Sequence, residues 1–256
     1  MRDLMANGIV KHKVRMTDLV QAEMLKRKRT FFKKQLFLCT LIPIVMAYIM
    51  IPVKYTELTA LNWWYVLFLP FLFTFGAATL IQSEKRYNYH GLFGIVEDKK
   101  KIWYAKIITI LIEMMAGMIL YTLFFLVLIA IRGQTITIAQ LLIAQGLLFL
   151  TYAWEVPLFL LMALKTNVFL PIATSAICSM ILSCVFAIKE KLWMIPIAIP
   201  TRIMTPVTGI LPNGLDVQPG DPIANSNVIL PGVIICVVLF VVLTVISAQI
   251  FDRQQA

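Results

Sequence analysis

Charged residues are scarce in this 256-residue chain, at 14%, whereas a soluble domain has about 25%. Hydrophobic residues make up 60%, and the mean hydropathy is +0.86. So little charge excludes a soluble body for most of the chain. The length and composition together favour one membrane domain.

Histidine and aspartate are also rare where intramembrane catalysis would need them. The two histidines, His12 and His90, lie outside the apolar segments, so there is no H-E-x-x-H zinc helix. No aspartate lies within an apolar segment, and there is neither a G-x-S-x-G turn nor a G-x-x-x-x-G-K-[ST] phosphate loop. We therefore expect a chain that is not an enzyme and that holds no cofactor of its own.

Cysteine gives no framework for disulfides or metals. All four cysteines lie inside apolar segments without C-x-x-C spacing: Cys39, Cys178, Cys184 and Cys236. We expect them to be small core residues.

What the chain does have is long apolar segments. Each is 19 to 27 residues long, and about 20 apolar residues cross a bilayer as a helix. The predicted spans are 35–53, 63–82, 107–131, 138–164, 168–188 and 228–250. Residues 54–62 are predicted to form a short outside loop, and Trp63, Trp64 and Tyr65 after it are expected to form an aromatic belt at the outer membrane interface. The predicted fold is an all-α membrane protein whose six-span domain covers residues 35–256.

The basic residues are unevenly distributed between the two sides of these spans. The side of the N-terminus has 18 Lys and Arg residues, and the opposite side has five. The positive-inside rule therefore places both termini in the cytoplasm. The net charge of +10 indicates attraction to membrane lipids rather than nucleic acid, because there is no folded basic module.

The N-terminal segment is predicted in two parts. Residues 1–16 are polar and are expected to form a flexible tail. Residues 17–34 favour an amphipathic helix in the headgroup plane, with an apolar face that includes Met16 and Val20 and a polar face that includes Arg27. Two interpretations stay open: a basic anchor for the first span, or an elbow helix that also touches a cytoplasmic partner.

The two longest loops have different characters. Residues 83–106 form a basic inside loop, which is either simply solvated or contains a short docking helix around Glu84–Phe93. Residues 189–227 form an outside loop with half of the twelve prolines. Its apolar stretch 192–199 is too short to span, so it predicts a re-entrant or interfacial excursion. Pro212–Gly214 predicts a turn with a positive φ at Gly214.

Two carboxylates, Glu113 and Glu155, lie inside predicted spans. A charge in hydrocarbon costs several kcal/mol, so such residues face a protein interior or water and often mark function. One interpretation is a protonated or hydrogen-bonded carboxyl that fixes helix packing; the other is a part in a substrate or proton path. Gly117 shares a helical face with Glu113 and predicts a close approach of another helix.

The order of these elements resembles the export-type ABC permeases: an elbow, six spans and a charged loop after the second. In that family the loop carries a coupling helix that docks on a separate ATPase subunit. Glu84-Lys85 and Lys106 fit the family's loose pattern. The resemblance implies that the ATPase-coupling residues are Glu84, Lys85, Arg86, Tyr87 and Phe93, and that ATP and Mg are held by the partner ATPase.

The last outside loop resembles a narrower group, the permease subunits of lantibiotic-immunity ABC transporters. The similarity covers Trp193 to Gly214. It implies a second, non-identical permease, an amphipathic peptide substrate expelled for self-immunity, and a bacterial cell membrane. The residues implied to handle substrate are Trp193, Pro196, Arg202, Asn213 and Gly214.

Two alternatives remain. The chain could be an ABC export permease for a lipid or drug, or, from another class, a proton-coupled secondary carrier that uses Glu113 and Glu155. An ATPase partner would favour an exporter, because a carrier needs none.

Overall fold

The apolar segments form helices, because in hydrocarbon each backbone N–H and C=O must be hydrogen-bonded within its own segment. The structure is a computed structural model that describes residues 15–28, 31–85, 98–133, 135–218 and 220–253. The α-helices in these ranges are α1 (Met16–Arg27), α2 (Phe32–Met50), α3 (Thr56–Trp63), α4 (Leu69–Lys85), α5 (Lys99–Arg132), α6 (Ile138–Tyr152), α7 (Glu155–Lys165), α8 (Phe169–Ile177), α9 (Ser183–Ala187), α10 (Ile199–Thr208) and α11 (Ile229–Asp252).

Several of these helices combine into longer rods. A π-helical turn at Trp64–Phe68 joins α3 to α4, and another at Cys178–Leu182 joins α8 to α9. In the described part of the chain, five rods are long and apolar enough to cross a membrane, and the bent pair α6–α7 makes a sixth. The prediction of an all-helical membrane-spanning protein is therefore confirmed at this level.

The N-terminal helix differs from the prediction for residues 17–34. It ends at Arg27, where the Lys28 N–H bonds to the Leu25 carbonyl in a tightened last turn, and α2 begins at Phe32. Residues 33 and 34 therefore belong to the first turn of the first span. The predicted tail, 1–16, lies outside the described residues except for its last two positions.

The second spanning rod starts earlier than predicted, because residues 54–62 belong to it as helix instead of forming an outside loop. Trp64 and Tyr65, expected to mark the outer membrane interface, are instead fully buried in the bundle. Trp64 stacks on Tyr121 of α5 with ring centroids 4.3 Å apart, and its Nε1 donates to Gln145 Oε1 of α6. These rings belong to the centre of the core.

Small residues let the rods approach one another closely. A Cβ added at Gly117 of α5 would overlap Leu72 Cδ2 of α4. One at Gly232 of α11 would lie 2.8 Å from Ile199 Cγ2 of α10. The prediction that Gly117 permits a close helix approach is therefore confirmed.

At one end of the bundle, α1 lies beside the C-terminus of α4, the N-terminus of α5 and the last turn of α11. Lys100 Nζ lies 3.5 Å from Asp252 Oδ2, and the Trp103 Nε1 donates to Ser247 Oγ at 2.8 Å. We call this the basic end, since Lys85, Lys100 and Lys106 lie there. It also borders residues 86–97, which lie outside the described ranges.

The loop before α11 is largely ordered against the bundle. Within it, α10 packs against α6, α9 and α11, and Thr201 Oγ1 lies 2.8 Å from Ser183 Oγ of α9. The apolar stretch 192–199, predicted to re-enter the membrane, contains only a 3₁₀ turn at Leu192–Met194. The residues after this turn connect it to α10. The buried helix of this loop is α10, which begins at Ile199.

Candidate functional site

Six charged side chains meet where α1 lies against α4 and α5. This ion cluster consists of Glu23, Lys26, Arg27, Glu84, Lys106 and Glu113. Lys106, which is fully buried, donates to Glu84 Oε1 and lies 3.3 Å from Glu23 Oε2. Lys26 closes the ring from the rim, 2.7 Å from Glu23 Oε1 and 3.1 Å from Glu84 Oε1.

The second half of the ion cluster is a bidentate pair between Arg27 and Glu113. Arg27 Nε donates to Glu113 Oε1 at 2.7 Å, and Nη2 donates to Oε2 at 2.8 Å. Arg27 Nη1 donates to Thr79 Oγ1 of α4 at 2.9 Å. A Cβ at Gly76 would lie 3.3 Å from both Arg27 Nη2 and Glu113 Oε2, so the glycine leaves room for the pair.

The cluster balances three acids with three bases, and five of the six residues are buried. Burial opposes ionisation of Glu23, but the ammonium groups of Lys106 and Lys26 outweigh it and hold the pKa of this carboxyl below its ordinary value. Removing one partner of a buried pair leaves an uncompensated charge at a cost of about 3–5 kcal/mol. The cluster therefore binds α1 firmly to α4 and α5.

This arrangement gives one of the two predicted intramembrane carboxylates a partner. Glu113 lies six residues inside the predicted third span, or about 9 Å at 1.5 Å per residue. Arg27, predicted on the polar face of the N-terminal helix, is only 6% exposed and reaches it. The packing interpretation of Glu113 fits this geometry better than a proton path, because the ion pair occupies both carboxylate oxygens.

The structure assigns two of the predicted coupling residues to internal contacts. Glu84 and Lys85 lie in the last turn of α4 rather than in a separate docking helix. Glu84 is buried in the ion cluster, and Lys85 Nζ donates to the Ala163 carbonyl at 2.8 Å and to that of Thr166, at the end of α7. Lysine at this position satisfies carbonyls that a helix C-terminus leaves free.

The other three coupling residues, Arg86, Tyr87 and Phe93, lie outside the described residues, and their docking role stays a prediction. The segment that contains them is nevertheless flanked by two ends that the ion cluster joins: Glu84 at the end of α4 and Lys106 in the second turn of α5. These are the residues that the sequence resemblance singled out, and they are directly paired.

Glu155 lies in a different setting from Glu113. It is the first residue of α7, at the 43° bend between α6 and α7. It is 2% exposed and lines a cavity of about 340 Å³ with Trp154, Leu158, Met162 and Cys178 among others. Its side chain makes no hydrogen bond or ion pair with any residue that the structure describes.

The predicted substrate residues of the outside loop are mostly bound internally. Trp193 is 8% exposed, and Pro196 is half-buried. Arg202 Nη1 donates to the Ile223 carbonyl at 2.6 Å, which ties α10 to the turn Pro222–Ala224. Trp193 is therefore buried and Arg202 anchors this turn, and their part in handling substrate stays a prediction.

The predicted Pro212–Gly214 turn is present. Gly214 has φ +84°, as predicted. Its N–H bonds to the Leu211 carbonyl at 2.8 Å, and the Leu211 N–H bonds to the Leu215 carbonyl at 2.7 Å. This is the pattern of a three-residue hairpin loop with a left-handed third residue.

The turn contributes to a groove on the loop side of the bundle. Asn213 is exposed and lines a groove of about 460 Å³ together with Cys184, Leu211 and Asp221, among others. The Asn62 side chain of α3 fixes the turn, because its Nδ2 donates to the Pro212 carbonyl at 3.3 Å. Asn213 is therefore the predicted loop residue that is best placed to meet a ligand.

Sequence reasoning missed Arg27, Glu23 and Lys106 as members of one site. A signal for the first two was present. Positions 16, 20, 23 and 27 share one helical face, so Glu23 and Arg27 lie on the side of α1 that carries Met16 and Val20, and the prediction of Arg27 on the polar face is wrong. Charged residues at such positions need buried counter-charges, but the pattern does not say which ones.

Among the described residues, no group of three or more His, Cys, Asp or Glu side chains could hold a metal ion. No family model, curated protein or solved structure matches the chain. The likeness to ABC permeases therefore rests on the residues quoted from the sequence.

Proposed function

We propose that this chain is the membrane-spanning subunit of an ATP-binding-cassette exporter that expels a lantibiotic or another antimicrobial peptide from a bacterial cell membrane. It would work with separate ATPase subunits, which hold ATP and Mg, and with a second, non-identical permease. The observation that best supports this proposal is the ion cluster, which joins α1 to the two helices flanking residues 86–97.

The ion cluster gives a mechanical reason for this proposal. A partner that pushes on residues 86–97 acts on the ends of α4 and α5, and the buried ion pairs transmit the push to α1. Because a buried charge that loses its partner costs about 3–5 kcal/mol, we expect these three helices to move together at the basic end.

The rest of the bundle contains points that can absorb such a movement. These are the 43° bend between α6 and α7 and the π-helical turns Trp64–Phe68 and Cys178–Leu182. Irregular turns of this kind are frequent at functional sites. A rigid basic end with deformable spans behind it suits a two-state exporter.

The first test is purification of the tagged chain from its own cells in mild detergent, followed by mass spectrometry and an ATPase assay. We expect a nucleotide-binding subunit in stoichiometric amount and peptide-stimulated ATP hydrolysis. A chain that purifies without such a subunit, and whose transport follows a pH gradient and ignores ATP, would contradict the proposal.

The second test concerns the coupling segment. Arg86→Glu is expected to abolish peptide-stimulated ATP hydrolysis while the chain still inserts and melts normally. Arg253→Glu is the matched control, because Arg253 is exposed at the same basic end. Equal peptide-stimulated ATP hydrolysis in both variants would contradict a coupling role for Arg86.

The proton-coupled carrier is the second candidate, favoured by Glu155 alone. Its carboxylate is buried at a helix break and has no partner among the described side chains. Glu113, the other carboxylate that a carrier would use, is held by Arg27. Transport into proteoliposomes, energised either by ATP or by a pH gradient alone, distinguishes the two candidates.

A further inference from the structure

The cavity at the bend between α6 and α7 contains two buried polar groups that lack partners among the described residues. The Trp154 indole N–H has no hydrogen-bond acceptor, and the Glu155 carboxyl makes neither a hydrogen bond nor an ion pair. Both residues line the cavity, and they are 7% and 2% exposed. Buried polar groups in native proteins nearly always have partners, so each such exception needs an explanation.

No other charge in the cavity can neutralise Glu155. Among the described residues that line the cavity, Lys165 is the basic one. It lies ten residues further along α7, at a distance of about 15 Å for a rise of 1.5 Å per residue. The rest of the lining is apolar or weakly polar: Leu158, Phe159, Leu161, Met162, Thr174, Cys178 and Ile197.

A carboxylate alone in such surroundings is costly, and the N-terminus of α7 offsets only part of that cost. A ligand that brings a positive charge on an apolar body would match the unpaired carboxylate and the apolar lining. An ammonium group only donates hydrogen bonds, so it would contact Trp154 through the ring and not through the indole N–H. The charged head of the ligand would pair with Glu155 and lie against the Trp154 ring, which attracts cations. Its apolar body would replace water along Leu158 and Met162.

We propose that the cavity between α6–α7 and α8 is a binding site for an amphipathic ammonium group, with Glu155 as its counter-ion and Trp154 beside it. The site deepens the proposed function, because an ammonium on an apolar body is the chemistry of a lysine side chain in an amphipathic peptide. An aminophospholipid headgroup offers the same chemistry. The binding test below needs no ATPase, so its failure is distinguishable from failure of the exporter proposal.

The size of the cavity guides the choice of probe. A volume of about 340 Å³ accommodates a short, unbranched apolar chain. Decylammonium carries a positive charge on such a chain, and 1-decanol has the same chain without the charge. The experiment is equilibrium binding of radiolabelled decylammonium to the full chain in a neutral detergent, with empty micelles as the blank.

We expect saturable binding that 1-decanol does not displace at equal concentration. Glu155→Gln keeps the shape of the side chain and removes its charge. It should weaken decylammonium binding by at least about tenfold, because hydrogen bonds to charged groups are the strong ones. Glu190→Gln is the matched control, since Glu190 is exposed in the outside loop, and it should bind as the unaltered chain does.

The source of the natural ammonium is decided by repeating the measurement in nanodiscs. If decylammonium is displaced in nanodiscs of phosphatidylethanolamine but not in nanodiscs of phosphatidylglycerol, the natural ligand is a lipid. If a lysine-containing amphipathic peptide displaces decylammonium in nanodiscs of either lipid, the natural ligand is a peptide. Equal binding by Glu155→Gln, or displacement by 1-decanol as effective as by unlabelled decylammonium, would overturn the site. If Glu155→Gln does not yield folded protein, the comparison of decylammonium with 1-decanol on the unaltered chain decides alone.

Discussion

The pair between Arg27 and Glu113 allows a quantitative prediction about how α1 is held. In Glu113→Gln the buried guanidinium of Arg27 loses the Glu113 carboxylate, and in Arg27→Gln the buried carboxylate of Glu113 loses the guanidinium. Each variant should lower the free energy of unfolding by about 3–5 kcal/mol. At about 2–4 °C per kcal/mol for a chain of this size, the melting temperature should fall by on the order of 10 °C.

The double variant Arg27→Gln/Glu113→Gln leaves neither charge unpaired. It should therefore be no less stable than either single variant, and the two effects should be strongly non-additive. Lys33→Gln is the control, because Lys33 is exposed in the first turn of α2. Gly76→Ala offers an independent perturbation, since its Cβ would crowd the pair at 3.3 Å without removing a charge.

The assay is unfolding of the purified chain in mixed micelles of rising dodecyl sulfate content, together with thermal melting in neutral detergent. Additive losses in the double variant would refute the reasoning, because they would mean that the two residues act independently. So would a single variant as stable as Lys33→Gln.

The remaining predictions concern other positions. Gly117→Ala should destabilise the bundle by about 1–3 kcal/mol through overpacking against Leu72, read by the same unfolding assay. Gly214→Val forces a β-branched residue into positive φ and should cost about 1–2 kcal/mol and lower peptide resistance in cells, against Leu215→Val as control. Since the pKa of Glu23 is lowered, its contribution is present above the unfolded pKa of about 4.3 and is lost as pH falls through the lower folded value. Glu23→Gln should therefore reduce the loss of melting temperature between pH 7 and pH 3.

Local patterns in the sequence predicted local structure well. The apolar runs located the spanning helices to within a few residues at most ends, because the length of a membrane helix is set by the bilayer. Pro212-Asn213-Gly214 predicted a turn and a positive φ, because the steric restrictions that decide a turn act within a few residues. The first span, predicted at 35–53, is Phe32–Met50.

Contacts between distant residues could not be predicted in this way. Trp64 was assigned to the membrane interface by its residue type, but its neighbours Tyr121 and Gln145 come from two later helices and bury it. The partner of Glu113 is 86 positions away. Helical periodicity gives the face on which a residue lies and not the element that covers that face.

The distance along the chain between Arg27 and Glu113 also has a consequence for biosynthesis. At about 5–20 residues per second, Glu113 is made about 4–17 s after Arg27. During this interval the Arg27 guanidinium lacks the Glu113 carboxylate, so we expect α1 to reach its final position only after the third span has been made. Once Glu113 arrives, α1, α2, α4 and α5 can close on one another while the chain from α6 onward is still to be synthesised.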